Sequence, residues 1–279
     1  MKSNYKRKPF TYKKIGEVTE LYQLDLNHLY ADDQSGRERF EERWGEFYEA
    51  DPTNADVFRK EGDVLVYKSE ILIPEMEDGR PSLLLAFGNP APHSVKAGMF
   101  FSYEGSGSEH RIWKALRETG ILTFNDEEIE QAEDMNAYKR DALFSLNYDS
   151  PFRIGLVPFY AMSSPASGAP WTGISGMRRL FGSRALDVIA QAERKRILGV
   201  LQRFMPNGGS VLAFQKDAYE YLRNVEGEEY SKDEASQANL VTNVTTRPDV
   251  QLACSPPTRL IHAKKTRRAL AEITQIFLT

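Results

Sequence analysis

Four short apolar runs, each breaking into turn residues, limit what this chain can become. They are 83–87 (LLLAF), 152–160 (FRIGLVPFY), 210–214 (SVLAF) and 250–254 (VQLAC). Runs of this length bounded by Gly, Pro, Asn and Ser read as strands buried on both faces. Such strands belong to parallel sheets covered by helices, because only a sheet hidden on both sides needs apolar residues at every position. Helical patterns lie between the runs. Ser108 caps a helix over 109–119 that Gly120 closes; Asn125, with Glu128 three residues on, caps another; Ser183 opens a long one. The last helix covers about 263–277, basic first and apolar later. The expected fold is α/β: a three-layer α/β/α arrangement with a central four-stranded parallel sheet.

Two segments stand outside that alternation. In residues 15–60 the apolar positions Leu21, Leu24, Leu26, Leu29, Phe40, Trp44 and Phe47 have mixed helical spacing, which predicts one or two helices lying on the main body. The chain therefore divides into an N-terminal helical extension, 1–62, and an α/β domain, 63–279. Residues 225–248 are polar and read as an excursion from the sheet.

Composition removes several function classes. The single cysteine, Cys254, allows no intrachain disulfide and no cysteine-ligated zinc or iron–sulfur site. The four histidines are scattered, so no metal site and no cofactor are expected. No secretory leader or membrane-length apolar span appears, and a cytoplasmic monomer is expected. The formal net charge of −4 argues against a global nucleic-acid-binding field. Charge is uneven, however: Lys2, Lys6, Arg7, Lys8, Lys13 and Lys14 crowd the start, and Arg259, Lys264, Lys265, Arg267 and Arg268 crowd 259–268. A mildly acidic chain can still present a basic face.

Chemistry is expected at the strand ends. In open parallel sheets, ligands bind beyond the carboxyl ends of the strands. The first run breaks into Gly88-Asn89-Pro90-Ala91-Pro92, where two prolines stiffen a turn that holds one amide side chain, although Asn-Pro is also an ordinary turn. The fourth run breaks into Ser255-Pro256-Pro257-Thr258-Arg259-Leu260. Neither a dinucleotide glycine fingerprint in strand–helix context, nor a lysine-containing phosphate loop, nor a serine-hydrolase elbow is present.

Taken together, Gly88–Pro92 continuing to Gly98-Met99-Phe100-Phe101-Ser102, and 254–259, resemble the two active-site motifs of the uracil-DNA glycosylase superfamily. The resemblance covers about 82–279 in element order and is specific in those two patches. It implies a DNA-repair hydrolase that flips uracil or a related damaged base and cleaves its N-glycosidic bond. Asn89 then takes the water-positioning place. Gly88, Phe101 and Phe159 fall around the base, with Phe101 either stacking on it or serving as core. His93, Ser255, Thr258, Arg259, Leu260 and Lys264 fall on the DNA side, with Arg259 or Leu260 filling the gap in the duplex; His93 reads somewhat more readily as a surface residue without a role. Two departures matter. Efficient uracil-removing members carry a His where this chain has Cys254 or Ser255, and the amide that reads uracil usually ends the second strand, where 157–160 is Val-Pro-Phe-Tyr. A DNA-binding protein of the same fold without turnover, or an unrelated α/β enzyme acting on a nucleotide or sugar, are the alternatives.

Overall fold

The computed structural model describes residues 10–14, 16, 18–102, 109–125 and 132–279. The basic start at 1–9, residues 103–108 with the Ser108 cap, and Glu128 of the second predicted cap lie outside the described residues.

The first part of the chain is β1 (Phe10–Lys14), β2 (Thr19–Asp25), α1 (Leu26–Leu29), α2 (Gln34–Glu49), α3 (Asn54–Val57), β3 (Phe58–Glu61) and β4 (Val64–Glu70). The four strands form an antiparallel sheet in the order β1-β2-β4-β3. The expected N-terminal helical extension is thus corrected to a sheet carrying helices, and a boundary at 62/63 would separate β4 from its partners. Helical spacing misleads here because Glu20, Tyr22 and Leu24 alternate inward along β2, and an acid at an inward position hides the two-residue period. α2 fits the expectation: Phe40 and Phe47 are fully buried, and Phe40 stacks on Phe181 with centroids 5.4 Å apart.

The rest is β5 (Ser82–Phe87), α4 (Pro92–Ala97), α5 (Arg111–Glu118), α6 (Ala132–Ser145), β6 (Arg153–Pro158), α7 (Gly173–Phe181), α8 (Ser183–Phe204), β7 (Gly209–Ala213), α9 (Lys216–Leu222), α10 (Lys232–Ser236), β8 (Val241–Val244), β9 (Arg247–Cys254), a 3-10 turn (Thr258–Leu260) and α11 (Lys264–Leu278). A second sheet has the order β6-β5-β7-β9-β8, mostly parallel, with β8 antiparallel at one edge. The four predicted runs lie on its parallel strands, while the fifth strand and α10 arise within the segment read as an excursion. β8 was hidden because VTNV is short and polar, as suits an edge strand.

Both faces of this sheet are covered. Leu84, Ala86, Val157, Val211 and Leu252 face a core shared with α2, α7, α8 and the N-terminal sheet. Leu83, Leu85, Leu156, Leu212 and Ala253 face another shared with α5, α6 and α11. The outer edge of β6 meets the chain leaving β4, where Leu72 and Leu156 exchange backbone hydrogen bonds of 3.0 and 2.7 Å. That bridge brings the end of β4 beside the carboxyl ends of β5 and β6. No helix among the described residues is long and apolar enough to cross a membrane.

Candidate active site

The carboxyl ends of the parallel strands are tied level with one another. Phe159 N–H donates to Phe87 O (2.8 Å), Tyr160 N–H to Gly88 O (2.9 Å), Phe214 N–H to Ala86 O (2.8 Å) and Ser255 N–H to Ala213 O (2.9 Å). Over this rim lies a cavity of about 500 Å³, inside the ~300–1,000 Å³ range of small-molecule sites.

Asn89 lines it, and its side chain is fixed. Nδ2 donates to Ser164 Oγ (2.7 Å) and to Pro90 O (3.3 Å), while Ser164 N–H donates to Pro90 O (3.1 Å). With the amide nitrogen committed, Oδ1 is the atom left to accept a hydrogen bond, which suits holding a water. Gly88 stands beside the cavity; a Cβ there would come within 3.2 Å of the Gln215 side chain, so the turn is packed close. Pro92 opens α4, pre-set for the first helical turn by its fixed φ. That short helix puts His93 and Ser94 on the wall, and Ser94 Oγ lies 3.4 Å from Ser102 Oγ.

The aromatic wall is Phe87, Phe100 and Phe101. Phe101 is half-buried at φ 47°, a left-handed conformation that bulky residues seldom adopt. Trp113 Nε1–H donates to its carbonyl (3.2 Å). Its ring meets Phe87 edge-on at 4.8 Å and is stacked with His110 at 4.6 Å, so one face is already covered. His110 in turn caps α5, its Nδ1 accepting from Ile112 N–H (3.2 Å). Next to it Glu109 takes an ion pair of 2.7 Å from Lys139, whose ammonium is buried against the Trp113 and Phe124 rings.

Thr258 and Arg259 complete the opposite side. The two sequence corners, Asn89 and Thr258–Arg259, therefore line one cavity, together with His93 and Phe101. Arg111 and Arg259 also line it, are exposed, and have no ion-pair partner among the described residues.

Other expected site residues fall elsewhere. Phe159 is fully buried on the opposite face of the sheet, 5.0 Å from the Tyr160 ring and 5.7 Å from that of Tyr221. The physical reason is strand alternation: Pro158 lines the cavity, so its successor points away. Ser255 is fully buried and its hydroxyl donates to Pro256 O (3.1 Å), which removes it from any phosphate. Cys254 is buried as well, and burial pushes its thiol up, leaving it inert. Leu260 is half-buried outside the lining, and Lys264 is exposed in the first turn of α11. Arg267 is held by Glu118, and Arg268 by Glu272 at 2.8 Å, so the basic segment is partly neutralised.

No family model matches the chain, and no curated protein matches it.

Several residues that line the cavity, Glu109, His110 and Arg111 among them, are not expected from the sequence, and Glu70 is the most informative of them. Glu70, the last residue of β4, lines it and is 3% exposed. Its Oε2 has no hydrogen-bond partner among the described residues, and burial holds its carboxyl well above the usual carboxylate range. Its only signal in the sequence is an acid lying between two short apolar runs, 64–67 and 71–73. The buried pair Glu193–Arg196 is different. Glu193 accepts from Arg196 Nε (2.5 Å) and from Ala161 N–H (2.7 Å), and Arg196 donates to the carbonyls of Pro158 (2.5 Å) and Phe159 (3.1 Å). That pair anchors the carboxyl end of β6 from behind.

Proposed function

We propose that the protein is a monofunctional DNA N-glycosylase of the uracil-DNA glycosylase type, acting on uracil or a related damaged base. The observation that carries this reading is that Asn89 and Thr258–Arg259, far apart along the chain, line one cavity at the carboxyl ends of a mostly parallel sheet. In this reading the four parallel strands β6, β5, β7 and β9 are the centre of a three-layer α/β/α domain, and β8 is an added edge.

The chemistry asks little of the protein. A base must leave the stack and enter a pocket. As the C1′–N bond breaks, the bonding pair leaves with the base and the sugar becomes positive. Water then adds to C1′ and loses a proton to solvent. Asn89 is a poor general base, but its Oδ1 can hold the water in line. Phe87 and Phe101 supply apolar wall for the base, and Arg111 and Arg259 at the mouth suit phosphates.

The test is release of base from labelled single-stranded and duplex oligonucleotides carrying uracil, hypoxanthine, xanthine or a mismatch. Asn89→Ala is expected to lower the rate by about 100-fold or more with DNA binding kept. Equal rates in both proteins would end the assignment. Affinity is expected to fall steeply with salt, and Lys264→Ala to reduce the slope of log K against log salt by about 0.9 if that ammonium meets a phosphate.

The second reading is a DNA-binding protein of the same fold without turnover. It is favoured by the buried Cys254–Ser255 pair, which offers no donor where efficient members carry a His. Binding without release on every substrate would select it.

A further inference from the structure

The end of the second strand carries no base-reading amide: Pro158 faces the cavity, and a proline has no side-chain donor or acceptor. Glu70 reaches the same cavity from the N-terminal sheet. It is buried, its Oε2 is unpartnered, and its position is held by the backbone on both sides. Thr19 pairs with it across β2, Ile71 N–H donates to Val18 O (2.9 Å), and Leu72 is bridged to β6. The titratable and charged groups around the cavity are His93, Glu109, His110, Arg111 and Arg259. None is an ion-pair partner of Glu70 among the described residues, and Glu109 is engaged by Lys139 and Arg117.

A lone buried carboxyl is expensive to ionise, and desolvation alone moves Glu70 upward. The protonated group carries one donor and one acceptor side by side in one plane. A carboxamide carries the same pair. What the chain lacks at the end of β6 is therefore present at the end of β4, in a different chemical form.

We propose that Glu70 is the specificity-determining residue of the cavity, its carboxyl donating to the carbonyl oxygen and accepting from the ring N–H of a lactam base edge such as that of uracil or hypoxanthine. This rests on the glycosylase reading. Glu70 makes no bond to the reacting atoms; it holds the base so that the water on Asn89 is in line. Only the protonated form offers the donor, so base reading is present below the folded pKa of Glu70 and lost as pH rises through it.

The experiment uses the full chain and a labelled uracil-containing oligonucleotide. Single-turnover release is followed from roughly pH 5 upward, stopping below the ionisation of the ring N–H itself, for wild type, Glu70→Gln and Glu70→Leu, with binding of an abasic oligonucleotide and thermal unfolding measured for each. Glu70→Leu is expected to lower release by about 100-fold or more, with abasic binding within about threefold of wild type. Glu70→Gln, which keeps donor and acceptor without titrating, is expected to stay within about tenfold and to lose the high-pH fall seen in wild type. Should Glu70→Leu fail to fold, the glutamine profile decides. Release by Glu70→Leu within about threefold of wild type, or a high-pH fall that persists unchanged in Glu70→Gln, overturns the assignment and leaves the glycosylase reading standing. A wild type that neither releases base nor binds any oligonucleotide overturns both.

Discussion

Two of the buried glutamates, Glu193 and Glu70, live differently. Glu193 is surrounded by partners: the Arg196 guanidinium on one oxygen and the Ala161 N–H on the other. Glu70, at the end of β4, has an oxygen with none among the described residues. Burial pushes both carboxyls upward, and at Glu193 the arginine and the backbone N–H oppose it. The difference teaches what each is for. Glu193 and Arg196 hold the backbone of Pro158–Ala161 in place, with both Glu193 oxygens partnered, although Arg196 Nη1 has no hydrogen-bond partner among the described residues. Glu70 lines a cavity and carries a buried oxygen with no partner among the described residues.

The contrast can be broken most forcefully at Arg196. Removing its charge with Arg196→Met strands the Glu193 carboxylate and is expected to cost about 3–5 kcal/mol in urea unfolding, most of it recovered in the double variant Glu193→Leu/Arg196→Met. A single variant as stable as wild type would mean that the pair is no more engaged than Glu70. Next in size is the opposite outcome at Glu70. Glu70→Leu is expected to raise stability by about 1–2 kcal/mol, because it removes a buried polar group that has no partner in the empty protein. A loss there would point to an internal partner for the carboxyl and would dissolve the comparison.

The smallest effect sharpens rather than breaks. Glu70 has its folded pKa raised above the ordinary value of 4.5, so the folded state binds the extra proton between the two pKa values. Stability is therefore full below about pH 4.5 and declines as pH rises toward the folded pKa. In Glu70→Gln that share of the decline is expected to vanish, while the share due to Glu193 stays. Unfolding free energies across this window, with equal slopes in both proteins, would refute it.

Much of the parallel sheet was legible because its strands are apolar at every position and end abruptly at Gly, Pro or Ser. Asn89 and Thr258–Arg259 were legible for the same reason, since they immediately follow such runs. The polar edge strand β8 carried no such signal. β2 carries no clear strand signal because its inward Glu20, which accepts from the Tyr22 hydroxyl, interrupts the alternation. Phe159 lies one strand position past Pro158, which in a sheet means the opposite face.

By its residues alone, this chain committed four apolar runs to a covered sheet and left polar loops at their carboxyl ends, because local pattern and turn chemistry act over a few positions. Tertiary structure alone decided that β4 comes to rest beside β6 through the Leu72–Leu156 bridge and so delivers Glu70 to the cavity. Burial, partnership and protonation of a carboxyl depend on what surrounds it in space, and no spacing along the chain carries that information.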